Sequence, residues 1–288
     1  RILAGVASFK DFAPRDPALE FARAEHRPEP GRIRAIADRI AGWVGLGALA
    51  PAERRLALVL SRYPGKGWQM AHAVGLDAPA SARAILSDLR AAGHAVTVPE
   101  DPVARLEAET LDWPLAEYLT ALAALPEALR AALASEWGDA QDDPAVRDGA
   151  FRFRAIDCGA AILALQPERG DPELRGDQYH DLTRTPRHGY VAFHLWLRAR
   201  VDALVQIGAH GTLEWLPGKA VALSAECWPE ALVGDLPVIY PFIVNDPGEA
   251  AQAKRRIGAV TLGHVPPPPV QSGTGAGLAR LEGLLDEF

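Results

Sequence analysis

The 288-residue sequence has little cysteine: Cys158 and Cys227 stand far apart, and neither belongs to a CxxC. That excludes a disulfide framework, fits a reducing, cytoplasmic compartment, and leaves both thiols expected as buried and free. Long apolar runs are missing too. No window approaches the roughly 18 uninterrupted apolar residues of a membrane span, and the first residues lack the order of a signal peptide. No membrane partner is expected. The basic residues form no stripe and the net charge is −7, with a pI near 5.6, so no nucleic-acid partner is expected either. Nucleotide-cradling loops are absent. Gly65-Lys66 and Gly218-Lys219 lack both the earlier glycine and the Ser/Thr of a P-loop. Gly273-Thr-Gly-Ala-Gly277 follows a proline run rather than a strand and reads as a turn. There is no internal repeat.

What is present suits a soluble globular protein: 49% apolar and 23% charged residues, enough for one large core or two modest ones. Residues 1–31 are rich in proline and charge and read as a strand end and a connector. Ile33, Ile36, Ala37, Ile40, Trp43 and Val44 fall at helical spacing. Arg55 to Leu60 is a short apolar run suited to a buried strand, followed by Tyr63-Pro-Gly-Lys-Gly67 and Gly75-Leu-Asp77. Ser81 to Ala92 reads as a helix stopped by Gly93, and His94 to Val98 as the next strand. Strand, loop, helix, strand implies a parallel, Rossmann- or flavodoxin-like α/β unit. It places Tyr63 to Asp77 on the rim beyond a strand's carboxyl end, where such sheets bind ligands.

Residues 114–137 read as helical with a break at Pro126, Ala160 to Leu165 as a strand, and Gln166 to Arg187 as a long polar loop. His188 to Arg200 is a helix with Tyr190, Phe193 and Leu197 on one stripe. Ala203 to Ile207, Pro237 to Val244 and Ala259 to Gly263 are strands, with a helix over 247–257. The expected division is a connecting segment and helix at 1–50, the Rossmann-like unit at 51–165, and a second α/β region at 166–288. Pro266 to Pro269 reads as a polyproline spacer. Arg1 is not an initiator methionine and Leu278 to Phe288 reads as an amphipathic helix cut off mid-pattern, so an interior piece of a longer protein is expected.

The chemistry concentrates in Gly208-Ala-His-Gly-Thr-Leu-Glu-Trp-Leu-Pro-Gly-Lys219, directly after a strand. His210 and Glu214 share a face if the segment is helical, and imidazole plus carboxylate suits a borderline divalent ion. By itself such a pair is also an ordinary loop histidine and an exposed acid. Glu249 ends Asp246-Pro-Gly-Glu249, which equally has the form of a capping box with Asp246 as N-cap. Lys219, Arg255 and Arg256 suit anionic groups, and the last two also suit a helix C-terminus. Trp215, Trp228, Tyr240 and Phe242 can line a flat apolar cleft or simply fill a core. His180 and Asp181 lie on the polar loop and His72 on the strand-end rim. His188 at a helix start reads equally as an ordinary polar residue. His26, His94 and His264 have no supporting neighbours.

The Gly208 to Lys219 run, Tyr179-His-Asp181, Pro186-Arg-His188 and the stretch from Trp228 to Glu249 together resemble the large, macrocycle-binding subunit of the class I metal chelatases, in its cobaltochelatase rather than magnesium branch. The resemblance covers most of the chain and is dense in motifs after about Leu165. It implies ATP-dependent insertion of Co²⁺ into hydrogenobyrinic acid a,c-diamide in aerobic cobalamin synthesis. ATP and Mg²⁺ would then be bound by an AAA+ ATPase subunit and its integrin-like partner subunit, not by this chain. Glu214 and Glu249 become acids for the chemistry, His210, Glu214 and His180 metal ligands, and Lys219, Arg255, Arg256, His72, Trp215 and Tyr240 substrate contacts. One departure stands out: Gln206 occupies a position where the family usually has histidine. The rival readings are a magnesium chelatase subunit acting on protoporphyrin IX, a non-catalytic tetrapyrrole-binding module, and a zinc-type hydrolase on His210 and Glu214. The last lacks a further ligand at motif spacing. Because no phosphate-cradling loop is present, titration of the chain with MgATP in a calorimeter should give no binding heat. A micromolar dissociation constant would contradict this.

Overall fold

A computed structural model describes residues 8, 10–12, 15–22, 26–61, 72–73, 76–170, 181–208, 211–243 and 247–264. A short antiparallel pair, β1 (Lys10–Phe12) and β2 (His26–Pro28), precedes α1 (Pro30–Ala48). The Glu29 carboxylate caps α1 by accepting from the Gly31 and Arg32 amides. The buried strand β3 (Leu56–Leu60) follows, then the two-residue strands β4 (His72–Ala73) and β5 (Leu76–Asp77). Asp77 and Asp101 cap α2 (Ala78–Ala91) and α3 (Pro102–Ala108), each with a proline in the first turn. Next come β6 (Thr110–Pro114), α4 (Leu115–Ala123), α5 (Glu127–Trp137), β7 (Val146–Arg147), β8 (Ala150–Asp157) and β9 (Ala161–Leu165). The chain then forms α6 (His188–Arg198), β10 (Ala203–Ile207), α7 (Trp228–Val233), β11 (Val238–Ile243), α8 (Pro247–Gln252) and β12 (Val260–His264). A single π-helical turn, Ala253–Ile257, continues α8 and stops at Gly258, which takes the left-handed conformation at φ 65°.

The central sheet runs β12-β11-β10-β3-β9-β8-β6, with β7 also on β8. The five strands from β12 to β9 are parallel; β8 and β6 extend them in antiparallel pairings. Successive strand residues point to opposite faces, and each face has its own core. Ala57, Val59, Ala164, Leu204, Val238 and Tyr240 pack under α4, α5, α6, α7 and the π turn. Leu58, Leu60, Leu163, Val205 and Ile207 pack under α2 and α3. The step from β9 to β10 passes through α6 on the first face and over β3, whereas α2 covers the second. The chain thus reverses direction across the sheet between β3 and β10. In parallel sheets the crevice at such a switch point is where ligands bind.

The α/β class, the helices at 30–48, 78–91 and 115–137, and strands β3, β9, β10, β11 and β12 match expectation. His94 to Val98 does not form a strand: Val96 makes only an isolated bridge to Gly159, because β9 and β10 already occupy both edges of β3. The expected boundary at residue 165 runs through the sheet, since β3 is hydrogen-bonded to β10 over five residues. Strands β6 and β8 were not expected, although Phe151, Phe153 and Ala155 alternate inward along β8. Helix α6 is buried almost all round rather than on one stripe. Both cysteines are free and buried, and among the described residues no helix is long and apolar enough to cross a membrane. The loop expected at Tyr63 to Gly67, the expected polyproline spacer and the amphipathic pattern at 278–288 lie outside the described residues.

Two histidines of α6 are core residues. His188 donates from Nε2 to the Gly138 carbonyl (3.1 Å), so its Nδ1 accepts from the Tyr118 hydroxyl at 2.7 Å. Burial lowers its pKa, and lowers that of His194 to about 3. An unfolded histidine titrates near 6.5, so the unfolded chain takes up these protons first. The contribution of His194 to stability is complete above about pH 6.5 and is lost as pH falls toward 3, and His188 acts in the same direction. Urea unfolding across pH 7 to 4 should show this decline, and His194→Gln should flatten it by about 1.4 kcal/mol per pH unit. An unchanged slope would mean that His194 is already charged in the folded state.

Candidate functional site

Three parallel strands end in polar residues on one face of the sheet: β3 in Ser61, β9 in Gln166, and β10 in Gln206 one position before its end. The ends of β3 and β10 are in close contact. Ser61 donates its amide to the Ile207 carbonyl (2.8 Å), and the Gln206 amide group donates to the Ser61 hydroxyl (3.2 Å). A Cβ on Gly208 would collide with the Ser61 side chain, so the turn out of β10 requires glycine there. Gln206 is buried within the site, as part of the seam between the two strands. Gln166 Nε2 donates to Thr212 Oγ1 (2.6 Å), which also shares a proton with the Tyr190 hydroxyl at 2.6 Å. These contacts fix the first half of the glycine-rich run against the sheet.

Glu214 sits in a 3-10 turn, Leu213–Trp215, and is 0% exposed. Its Oε1 accepts from the Tyr240 hydroxyl at 2.7 Å and from the Gly211 amide at 3.1 Å. Next to it the half-buried Trp215 ring donates from Nε1 to Glu249 Oε2 at 2.8 Å. The two acids, 35 positions apart in sequence, are therefore joined through neighbouring residues of one turn. Asp246, expected as the N-cap, lies outside the described residues, and the capping box is replaced in view by the bond from the tryptophan ring to Glu249. Two buried arginines grip the backbone of the same turn. Arg169 Nη1 donates to the Trp215 carbonyl (3.0 Å) and its Nη2 to that of Asp181. Arg256, from the π turn, donates from Nη1 to the Glu214 carbonyl (2.6 Å) and from Nε to that of Lys219 (3.1 Å). Extra turns of this kind recur at functional sites.

The expected site residues thus separate. Glu214, Tyr240, Trp215, Glu249 and Arg256 come together. Lys219 and Arg255 are exposed nearby, whereas Arg256, expected as a cation for a substrate carboxylate, is 3% exposed and holds backbone. His188 belongs to the core described above. His180 and His210 lie outside the described residues, as does the side chain of His72, whose backbone pairs with Asp77. Asp181 accepts from both the amide and the hydroxyl of Thr183, which lowers its pKa. Arg169, Gln166, Thr212 and Tyr190 were not expected. The legible signal for Gln166 was a polar residue terminating an apolar strand in phase with Ser61 and Gln206; Arg169 carries no such signal.

A family model described as CobN/Magnesium Chelatase matches residues 1–288. The chain belongs to that family. The aerobic cobaltochelatase subunit CobN of Pseudomonas aeruginosa is 42% identical over 307 residues, covering 100% of this chain and 25% of that protein. The magnesium-chelatase H subunit of Chlorobaculum parvum is 30% identical over 288 residues, covering 90% of this chain and 22% of its own length. A solved structure, the catalytic subunit of cobaltochelatase from Mycobacterium tuberculosis, superposes with a TM-score of 0.77 at 36% identity, covering 98% of this chain and 25% of that one. The chain therefore spans about a quarter of the length of the CobN/Magnesium Chelatase members it matches.

For this member of the CobN/Magnesium Chelatase family, the described residues supply an acid pair and its supports. Among them no three His, Cys, Asp or Glu side chains converge as metal ligands do. The supports also hold the fold. Lysine has neither the reach nor the fork to bond both the Glu214 and Lys219 carbonyls, so Arg256→Lys should destabilise the chain by about 2 kcal/mol. Urea unfolding at neutral pH measures this; a change below about 0.5 kcal/mol would show that the grip on the turn contributes little to stability.

Proposed function

We propose that this chain is part of the macrocycle- and metal-handling subunit of a cytoplasmic, ATP-dependent cobaltochelatase. The reading is insertion of Co²⁺ into hydrogenobyrinic acid a,c-diamide during aerobic cobalamin synthesis. An AAA+ ATPase subunit and its integrin-like partner subunit would bind ATP and Mg²⁺. The observation that carries it is the buried Glu214, held between Tyr240 and Gly211 at the switch point of a chain 42% identical to a CobN over its whole length. The lower identity to the magnesium-chelatase relative, 30%, favours cobalt over magnesium and protoporphyrin IX.

Insertion into a corrin exchanges one ring N–H proton for the divalent ion and leaves one positive charge on the metal–ring unit, with no change of oxidation state. The ion must shed water and the proton needs an acceptor. Glu214 is the acceptor or the carboxylate that relays the ion, working in a site from which water is largely removed. Glu249, linked through the Trp215 ring, is the second acid. His210 and His180 are the imidazoles proposed for the ion, with the half-buried Trp215 ring as apolar wall. Lys219 and Arg255, both exposed, meet the carboxylates of the macrocycle, and His72 is a further proposed contact.

Glu214→Gln in the full-length, assembled protein should reduce cobalt insertion about 100-fold or more while leaving corrinoid affinity nearly unchanged. Near-normal turnover would sink the reading. Glu249→Gln keeps an oxygen that can accept from Trp215. If Glu249 takes part in the chemistry, this variant stays as stable as wild type and loses activity; a fully active variant would leave Glu249 a structural partner of Trp215.

A further inference from the structure

Tyr240 stands in the middle of β11, in register with Thr261 of β12, on the face whose core lies under α6 and α7. An apolar strand position of this kind is filled as well by phenylalanine. Yet the hydroxyl is not an idle end: it is 2.5 Å from the Gly211 amide and 2.7 Å from Glu214 Oε1, and the amide is itself 3.1 Å from that oxygen. An amide can only donate, so the hydroxyl accepts from Gly211 and its single proton points to the carboxylate.

Glycine at this position also leaves room for the carboxylate. A Cβ at Gly211 would lie 2.9 Å from Glu214 Oε2 and 3.2 Å from Gln206 Cγ. The carboxylate is therefore wedged between a backbone amide and a side chain rooted in the sheet. A tyrosine has only two side-chain torsions, and its ring is packed in the core. Its oxygen is thus a fixed reference point, which a loop residue could not supply.

Resting on the role proposed for Glu214, we infer that Tyr240 is the positioning residue for that carboxylate, acting through it rather than by ring contact with the macrocycle. The phenol holds Oε1 in place while the acid takes up a proton or passes on the ion, and so acts on turnover more than on binding.

The test is a double-mutant cycle in the full-length, assembled enzyme with Co²⁺ and the corrinoid as substrates. Tyr240→Phe deletes one oxygen and keeps the ring. It should lower kcat about 10- to 100-fold, the worth of one hydrogen bond to a charged group, with KM for both substrates within about twofold. Combined with Glu214→Gln it should cost no more than Glu214→Gln alone. Exchange of the Gly211 amide, followed by mass spectrometry, should accelerate in Tyr240→Phe. Unchanged kcat in Tyr240→Phe beside an impaired Glu214→Gln overturns this role and leaves the function intact. So does a double mutant whose losses multiply, or a rise in KM for the corrinoid alone, which is the mark of ring contact. A fully active Glu214→Gln enzyme overturns the function and this role together.

Discussion

The parallel pairing of β10 with β3 sets the rest of the site. It aligns five residues, Ala203 with Leu56 through Ile207 with Leu60, and all ten are buried. Side chains alternate between two separate cores, so a slip of one residue would turn Gln206 into the apolar core under α2 and α3 and Ile207 toward Tyr240. Such a register is strongly specified. Once it is set, Gly208 meets Ser61, the chain must leave the sheet at that point, and Gly211 arrives above Tyr240. The position of Glu214 is then a consequence of strand register, with little left to the loop.

The density of buried charge in this small volume needs explanation, since an unpaired buried ion costs several kcal/mol. Glu214, Glu249, Arg169 and Arg256 are all at most 7% exposed. Among the described residues they do not neutralise one another in direct ion pairs. The arginines donate to backbone carbonyls of residues 214, 215 and 219, and the acids accept from a phenol, an amide and an indole. This arrangement immobilises the peptide on both sides of Glu214 while its Oε1 faces neutral donors.

Much of the frame was legible because its signals are local. Gly93 marks the stop of a helix with apolar residues on one face, and Arg55 to Leu60 and Ala203 to Ile207 are compact apolar runs. What failed was whatever depended on distant partners. His94 to Val98 looks like a strand by composition but had no open sheet edge to join. The alternation in β8 is plain, yet β8 forms a strand by pairing antiparallel with β6 and β9, a break from the parallel order that sequence alone does not announce. At the site, the Gly208 to Lys219 run was conspicuous, whereas the bonds that organise it are long-range. Trp215 to Glu249 spans 34 positions and Arg256 to Glu214 spans 42. A capping box explains Asp246-Pro-Gly-Glu249 from its own four residues, and only the fold shows the tryptophan ring on that acid.

The same logic extends outward from the loop. After Lys219 the chain returns through Ser224 to Cys227, whose sulfur accepts from the amides of both. Gly218, at φ 147°, leaves space for that cysteine, which a Cβ would approach to 2.7 Å. Cys227 begins α7, and the Glu230 carboxylate of α7 holds Arg32 and Arg39 of α1, each at 2.8 Å. Side chains at that ion triad are at most 24% exposed, so it is screened far less than a surface pair. Helix α1 also lies so close to the turn after α7 that a side chain on Gly42 would strike the Asp235 carbonyl. The far end of the glycine-rich run is thus tied through α7 to α1, as its near end is tied through Gly208 to β3. Held at both ends and gripped in the middle by Arg169 and Arg256, the turn bearing Glu214 has little freedom to follow a ligand. In the proposed reaction the flexible partner is then the macrocycle, which must bend to admit the ion, and the protein supplies the fixed side.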